Sequence, residues 1–327
     1  MRVGLDVSPL HQTRAGTARV IQNLLEVDAG AGVEVVPLDF AGTSRVAAAV
    51  RDAWWYPHVL PRQARRARVD VLHCPSFRGP VGSPVPLVVT VHDLAVLRHP
   101  ELFNRWTREY SRRYVHRVVA GARLVVAVSE FTRGELVEVL GTPAEQVRVV
   151  PNAVPAGFSP DGARAEGDYV LAVGTLEPRK NLVRLAEAAE LAGVELRVVG
   201  ARGWGDVALP AHVKLVGPVG DEELAALYRG ARCLAYPSLY EGFGIPIVEA
   251  MACGTPVVTS AGGATEEVAG GAAVLVDPLD PQAIAAGLEE AFARAPQLRE
   301  AGLERAQHFT RERVVAAMLD IYREAVE

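Results

Sequence analysis

Short runs rich in Val, Leu and Ile alternate along the chain with longer stretches whose apolar positions recur every three to four residues. That alternation is the pattern of parallel sheets joined by crossover helices. In the first half, residues 2–7, 33–38, 69–73, 87–92, 124–128 and 147–150 are expected as strands, with helices over 17–27 and 101–120. The second of these helices carries Arg105, Arg108, Arg112, Arg113 and Arg117 on one face, and Leu102, Trp106, Tyr110 and Tyr114 at helical spacing on another. Residues 151–168, PNAVPAGFSPDGARAEGD, contain three prolines and three glycines and break every regular period, as an interdomain linker does. After it the alternation restarts, with strands expected at 169–174, 195–200, 213–216, 233–236, 257–260 and 273–277. Helices are expected at 182–192, 222–231 and 246–252, and two more begin near Pro281 and Thr310. No solenoid period is present, so the pattern predicts two consecutive doubly wound α/β domains with a cleft between them.

Composition narrows the class. With 327 residues, half of them hydrophobic and 22% charged, the chain is long enough for two sizeable cores, which excludes a disordered chain or a small disulfide scaffold. The net charge of −5 hides an asymmetry, because residues 1–155 carry 19 Lys and Arg against 14 Asp and Glu, and residues 156–327 carry 15 against 25. The basic half is suited to phosphates or to an anionic membrane surface, and no nucleic-acid partner is expected. Cys74, Cys233 and Cys253 form no Cys-x-x-Cys pair and have no His cluster beside them, so neither a disulfide framework nor a zinc site is predicted, in keeping with a reducing cytoplasm. Asp6 interrupts the first apolar run and no stretch approaches the length of a membrane span, so the expected location is cytoplasmic. Arg62, Arg65, Arg66 and Arg68 join the 105–117 arginines as a candidate peripheral contact with the inner membrane face, against the alternative of solvated helices decorated with arginine.

Two segments concentrate candidate chemistry. Residues 174–181, GTLEPRKN, lie where a strand ends and a helix begins, the position at which open α/β sheets bind ligands. Arg179 and Lys180 there, beside a helix N-terminus, suit a diphosphate. A solvated basic pair is the alternative, but the chain has 32 Arg and only two Lys, so Lys180 is an unusual choice unless a compact point charge is wanted. Residues 236–254, YPSLYEGFGIPIVEAMACG, repeat the order strand, glycine loop, helix, with Pro246 suited to a first helical turn. The backbone around Gly242, Phe243 and Gly244 can face an anionic or hydroxyl-rich ligand, and Glu241 and Glu249 can each accept two hydroxyl hydrogen bonds, as a carboxylate reading a vicinal diol does. Glu241 as a simple turn residue and Glu249 on a solvated helix face are the competing readings.

These two segments resemble the retaining glycosyltransferases of family 4, formerly group 1. Residues 241–249 are similar to that family's E-x7-E motif without a gap, and the likeness extends over His92-Asp93, VAVSEFTRGEL, VVPNAVPAGFSP and VGPVGDEELAALY, nearly the whole chain. The resemblance implies the GT-B fold, a pair of Rossmann-like domains facing a cleft. Residues 1–160 would form the acceptor-side domain, residues 161–310 the nucleotide-sugar domain, and a helix at 311–325 would cross back to the first. By that similarity Arg179 and Lys180 hold the donor diphosphate, Glu249 the ribose hydroxyls, and Glu241 with Gly242, Phe243, Gly244 and Ile245 the transferred sugar. Val219 would contact the base, and His92 would lie near the sugar, although a lone His at a strand end is commonly structural. The family's Gly-Gly pair after the first strand is here Arg14-Ala15-Gly16-Thr17, leaving Gly16 alone to admit a ligand, with Arg19 in the place of a frequent Arg.

The implied reaction is transfer of a hexose, from a donor of the GDP-mannose or UDP-glucose type, to a hydroxyl of a glycan, a lipid-linked or a natural-product acceptor. No Asp-x-Asp occurs, so no metal or other cofactor is expected, with fixed cations neutralising the leaving group instead. Gly-x-Gly-x-x-Gly, Walker A and Gly-x-Ser-x-Gly are absent as well, against dehydrogenase, NTPase and serine hydrolase readings. The alternatives are a phosphorylase or sugar-phosphate synthase on the same fold, and a non-catalytic nucleotide-sugar binder. A pure binder has no need of Arg179, Lys180, Glu241, Glu249 and His92 together.

Overall fold

The structure, a computed structural model, describes residues 1–11, 16–25, 32–103, 105–203, 205 and 207–327. The chain divides into two compact units, Met1–Ala153 with Arg311–Glu327, and Val154–Thr310. Each is built on a six-stranded, all-parallel sheet.

The first sheet contains β1 (Arg2–Asp6), β2 (Glu34–Leu38), β3 (Val71–Cys74), β4 (Leu87–Val91), β5 (Leu124–Ala127) and β6 (Val147–Val149), in the order β2-β1-β3-β4-β5-β6. Central strands β3, β4 and β5 are buried at every position, because helices cover both faces of a parallel sheet; hence their continuous apolar runs. Pro37, which has no N–H to give to a ladder, lies in edge strand β2. The predicted helix at 17–27 is observed as Gly16–Leu25; residues 26 and 27, like Arg14 and Ala15 of the preceding loop, lie outside the described residues. The predicted 101–120 helix is a short 3-10 turn, Pro100–Leu102, followed by the helix Arg105–Ala120.

Several helical stretches of this unit had no counterpart in the apolar pattern. Arg45–Val50, a π-helical stretch Arg51–Val59 containing Pro57, and Leu60–Arg66 run on without a break, and Glu130–Leu140 is a separate helix. In the last, Ser129 accepts from Thr132 N at the start and Gly141 ends it at φ +65°. The final helix, Arg311–Val326, adds Val314, Met318 and Tyr322 to the core on one face of this sheet. Its Tyr322 hydroxyl meets Nδ1 of buried His73 at 2.8 Å, while His73 Nε2 meets Thr90 Oγ1 at 2.8 Å. Arg148 and Glu324 add an ion pair between β6 and the helix.

The second sheet contains β7 (Tyr169–Val173), β8 (Glu195–Val199), β9 (Lys214–Gly217), β10 (Cys233–Tyr236), β11 (Val257–Ser260) and β12 (Val274–Val276), ordered β12-β11-β10-β7-β8-β9. Counted from β7 this is the Rossmann order, and the direction of winding reverses between β7 and β10. A ligand crevice is therefore expected beyond the C-terminal ends of those two strands, where residues 174–181 and 237–244 emerge. Where two terminal helices were predicted there are three, Pro281–Ala293, Ala295–Ala306 and Arg311–Val326, and Gly263–Ala269 is a further helix.

Candidate donor-binding site

The loop after β7 turns sharply. Gly174 has φ +149° and donates from its N–H to Val199 O, and Gly200 at the end of β8 approaches so closely that a Cβ there would lie 1.9 Å from Gly174 O. Only glycine fits that approach. The chain then makes a 3-10 turn, Pro178–Lys180, and Asn181 at φ +59° leads into the helix Leu182–Leu191. Asn181 Nδ2 donates to Pro237 O at 3.0 Å and Pro278 O at 2.6 Å, and Leu239 N donates to Arg179 O at 2.8 Å. Main-chain and amide bonds thus fasten the loop after β7 to the loop after β10.

The side chains of the two loops meet in one ion network. Arg179 Nη1 donates to Glu241 Oε2 at 2.7 Å and to Tyr240 O at 3.2 Å, and its Nε lies 2.7 Å from Glu177 Oε1. Lys180 Nζ donates to Glu241 Oε1 at 2.5 Å and to the Tyr236 hydroxyl at 2.6 Å, and that hydroxyl donates to the same carboxylate at 2.9 Å. All these side chains are largely buried, with Arg179 at 16% and Lys180 at 10% exposed. Burial raises the Glu241 carboxyl, but the charges of Lys180 and Arg179 and the hydrogen bonds from Lys180 and Tyr236 outweigh it and hold the group at about 2. Burial lowers the Lys180 ammonium and raises the Tyr236 phenol well above its usual value. At neutral pH the network therefore holds a carboxylate between two cations, so the turn-residue reading of Glu241 and the solvated-pair reading of Arg179 and Lys180 both fail.

Glu249 belongs to a separate contact. The helix Ile245–Ala252 starts after Gly244, whose φ is +100°, with Pro246 in its first turn. Glu249 is 2% exposed and its Oε2 accepts from the Tyr228 hydroxyl at 2.8 Å, so it is not on a solvated face. Tyr228 comes from the helix Asp221–Gly230 and is itself fully buried. Of the loop residues, Gly242 and Gly244 are buried and Ile245 half-buried, while the Phe243 ring packs edge-on against Phe309. Val219 is half-buried in the segment after β9.

Two predicted site residues lie in the other unit. His92 follows β4 and donates from Nε2 to Pro75 O at 3.0 Å, which leaves Nδ1 as the lone-pair nitrogen. Burial lowers its pKa, opposed by that bond and by Asp93. Gly16 opens the helix Gly16–Leu25. The sequence reading missed Glu177, Tyr236 and Tyr228. All three stand inside the quoted segments, Glu177 two residues before Arg179, Tyr236 at the strand end and Tyr228 at the end of VGPVGDEELAALY, and their neighbours were the available signal.

Comparison with known proteins bears on the family and the fold. The sequence pattern of the group 1 glycosyl transferases matches residues 158–308, and that of glycosyltransferase family 4 matches residues 15–158. The O-antigen chain mannosyltransferase B of Escherichia coli is 32% identical over 266 residues, 72% of this chain and 70% of that protein. A D-inositol 3-phosphate glycosyltransferase of Salinispora tropica is 33% identical over 290 residues, 74% of this chain and 60% of the relative. Among solved structures, sucrose-phosphate synthase from Thermosynechococcus elongatus superposes with a TM-score of 0.80 at 21% identity, covering 99% of this chain and 98% of that one. HepE of Anabaena in complex with UDP-glucose gives a TM-score of 0.70 at 18% identity, covering 99% and 100%. The fold is therefore GT-B, and the E-x7-E segment, with Glu241 in the ion network and Glu249 on Tyr228, belongs to a chain that is a member of the group 1, or family 4, glycosyltransferases.

Proposed function

We propose that this glycosyltransferase moves a hexose from a nucleotide-diphospho-sugar to an acceptor hydroxyl with retention of anomeric configuration and without a metal ion. The observation that carries the reading is the placement of Arg179 and Lys180 at the strand-order reversal of the second sheet, tied to Glu241 and facing the end of β7 and β10. In glycosyl transfer the anomeric C–O bond breaks through an oxocarbenium-like state while negative charge gathers on the departing diphosphate. Arg179 and Lys180 supply two fixed positive charges for that oxygen, the task a metal performs elsewhere. On the proposed retaining path, the leaving phosphate oxygen accepts the proton of the acceptor hydroxyl as that oxygen bonds to the anomeric carbon on the same face. Glu249, oriented by Tyr228, holds the ribose diol, and Glu241 with the backbone of residues 242–245 holds the sugar.

The donor is of the GDP-mannose or UDP-glucose type. The mannosyltransferase relative favours the first and the UDP-glucose complex of HepE the second. For the acceptor, a lipid-linked glycan used at a membrane surface is supported by the exposed arginines and tryptophans of the first unit. There Trp54 and Trp106 are 58% and 53% exposed, and Arg62, Arg65, Arg66, Arg105, Arg108, Arg112 and Arg113 are exposed as well. Trp106 Nε1 donates to Asp52 Oδ2 at 3.2 Å, joining the helix Arg105–Ala120 to the π-helical stretch that bears Trp54. Interfacial tryptophans with arginines are the composition of a surface that lies on anionic lipid. Among the described residues no helix is long and apolar enough to cross a membrane.

Thermal shifts with UDP, GDP, ADP and dTDP at equal concentration test the donor reading. A ligand at ~100 times its Kd stabilises the fold by ~2.7 kcal/mol. One nucleotide is expected to shift the melt of the wild type and to lose that effect in Lys180→Ala and Glu249→Ala; equal shifts in all three proteins would contradict the assignment. Tight donor binding with neither transfer nor donor hydrolysis would favour a binding protein, and formation of a sugar phosphate on addition of phosphate would favour a phosphorylase.

A further inference from the structure

The ion network contains a second carboxylate, Glu177, to which the donor reading gives no role. It is wholly buried. Its carbonyl accepts from Lys180 N at 3.0 Å, and its Oε1 lies 2.7 Å from Arg179 Nε. The Arg179 guanidinium is thus gripped at two places, at Nε by Glu177 and at Nη1 by Glu241. These two grips differ in what a ligand would do to them. A diphosphate that takes up Lys180 Nζ and Arg179 Nη1 competes with Glu241, which now occupies both groups, whereas Nε stays with Glu177.

Charge balance makes the distinction consequential. Arg179 and Lys180 are matched by Glu177 and Glu241, so the free site carries no net charge. A nucleotide sugar carries two negative charges on its diphosphate diester, and burying them beside two ionised carboxylates is costly. Adding a proton to one carboxylate relieves the excess. Glu241 is the poorer acceptor, because two cations hold it ionised. Glu177 is the better one: burial raises its pKa, Arg179 and Lys180 oppose the rise, Glu241 adds to it, and the Thr175 hydroxyl lowers it. The groups that face it are Thr175, Arg179 and Lys180 from its own loop and Glu241 from the loop after β10. Tyr236 is one step further, hydrogen-bonded to Lys180 and Glu241, and Arg202, whose backbone bridges Leu176, is exposed.

Resting on the donor-site reading, we propose that Glu177 is a positioning residue that holds Arg179 through Nε and takes up one proton from solvent as the donor diphosphate binds. As a neutral acid it keeps an oxygen beside Arg179 Nε, so the close approach is kept while one negative charge is removed. A glutamine has the same shape and the same acceptor.

The test is calorimetric titration of the full chain with UDP-glucose and with GDP-mannose near pH 6.5, in buffers of different ionisation enthalpy. The diphosphate of a nucleotide sugar has no titration of its own near neutrality, so a linked proton belongs to the protein. The wild type is expected to take up a fraction of a proton per bound donor. Glu177→Gln should take up none, bind within about threefold of the wild type, and show a flatter decline of affinity as pH rises. Glu177→Ala, which releases Arg179, should lose roughly 10–100-fold in kcat with a smaller change in KM. Equal proton uptake by the wild type and Glu177→Gln, or an unchanged kcat in Glu177→Ala, overturns the proposal while leaving the donor site standing. Absence of binding by either nucleotide sugar contradicts the donor site itself, and the proposal with it.

Discussion

The two units share an architecture and differ at the place where a ligand crevice is expected. In the second sheet the order reverses between β7 and β10, and the loops that emerge there carry Glu177, Arg179, Lys180 and Glu241 in one network. In the first sheet it reverses between β1 and β3, and the strand ends there carry Asp6 and Cys74, both fully buried. Asp6 Oδ1 accepts from the Ser8 hydroxyl and N–H, and burial, opposed by these bonds, pushes its carboxyl up to about 6. The charge of Arg51 opposes that rise, but Arg51 is itself 2% exposed, and Arg78 of the same unit is committed to Asp52 at 2.5 Å. The same fold principle thus places a charged network at the reversal in one unit and a buried carboxyl and thiol at the reversal in the other. Strand order determines where a ligand can sit, and the side chains at the strand ends determine what it can be.

The strongest way to break this contrast is to unbalance the charged network. Glu241→Ala leaves Arg179 and Lys180 short of a counter-charge in a largely buried setting and should cost about 3–5 kcal/mol of stability, seen as a lower denaturation midpoint. Next, Lys180→Ala should lower the transfer rate ~10–100-fold, because one charge-assisted hydrogen bond to the leaving group is worth roughly 1.5–3 kcal/mol. Steady-state kinetics checks this; a variant as fast as the wild type would separate Lys180 from the chemistry.

Acid should distinguish the units by pH. Burial, with a smaller contribution from His92, depresses His73 from 6.5 to about 3. The stability this neutral His contributes is complete above its unfolded value and is lost as pH falls from 6.5 toward 3. Glu241, lowered from 4.5 to about 2, contributes stability that is complete above 4.5 and lost as pH falls toward 2. Asp6 works the other way, since a raised carboxyl disfavours the fold as pH climbs from 3.8 through 6, and it offsets part of the His73 loss. The first unit should loosen at a higher pH than the second. Three of the four tryptophans, Trp54, Trp55 and Trp106, belong to the first unit, so acid titration by tryptophan fluorescence should change before donor binding is lost to unfolding of the second. The smallest effect is expected from Tyr228→Phe, which removes the hydroxyl that orients Glu249 and should weaken nucleotide binding about tenfold at most, with kcat little changed. A loss in kcat alone would move Glu249 from the ribose to the reacting sugar.

Much of this was legible in the sequence, for identifiable reasons. The twelve strands among the described residues could be read because buried parallel strands are short and apolar, and the loops that bring Arg179 and Lys180 to Glu241 could be read because each lies where a strand gives way to a helix. Helices such as Glu130–Leu140 and Gly263–Ala269 were not legible: each is short, and Gly134 interrupts the period of the first. Pairing across loops far apart in sequence was not legible either. Tyr236 and Glu177 acquire their meaning only when β10 is placed beside β7, and Tyr228 only when the helix Asp221–Gly230 meets the helix Ile245–Ala252. The solvated-face alternative for Glu249 failed because burial depends on which helix packs against it.

On the proposed reading, donor diphosphate binds at the strand-order reversal of the second sheet on Arg179 and Lys180. Amide hydrogen exchange with and without the nucleotide diphosphate that stabilises the fold measures this most directly. Slower exchange confined to residues 174–181 and 236–249 in the wild type, and absent in Lys180→Ala, is the predicted result. Protection that appears instead after β1 and β3 of the first unit, and is unchanged by Lys180→Ala, would contradict it.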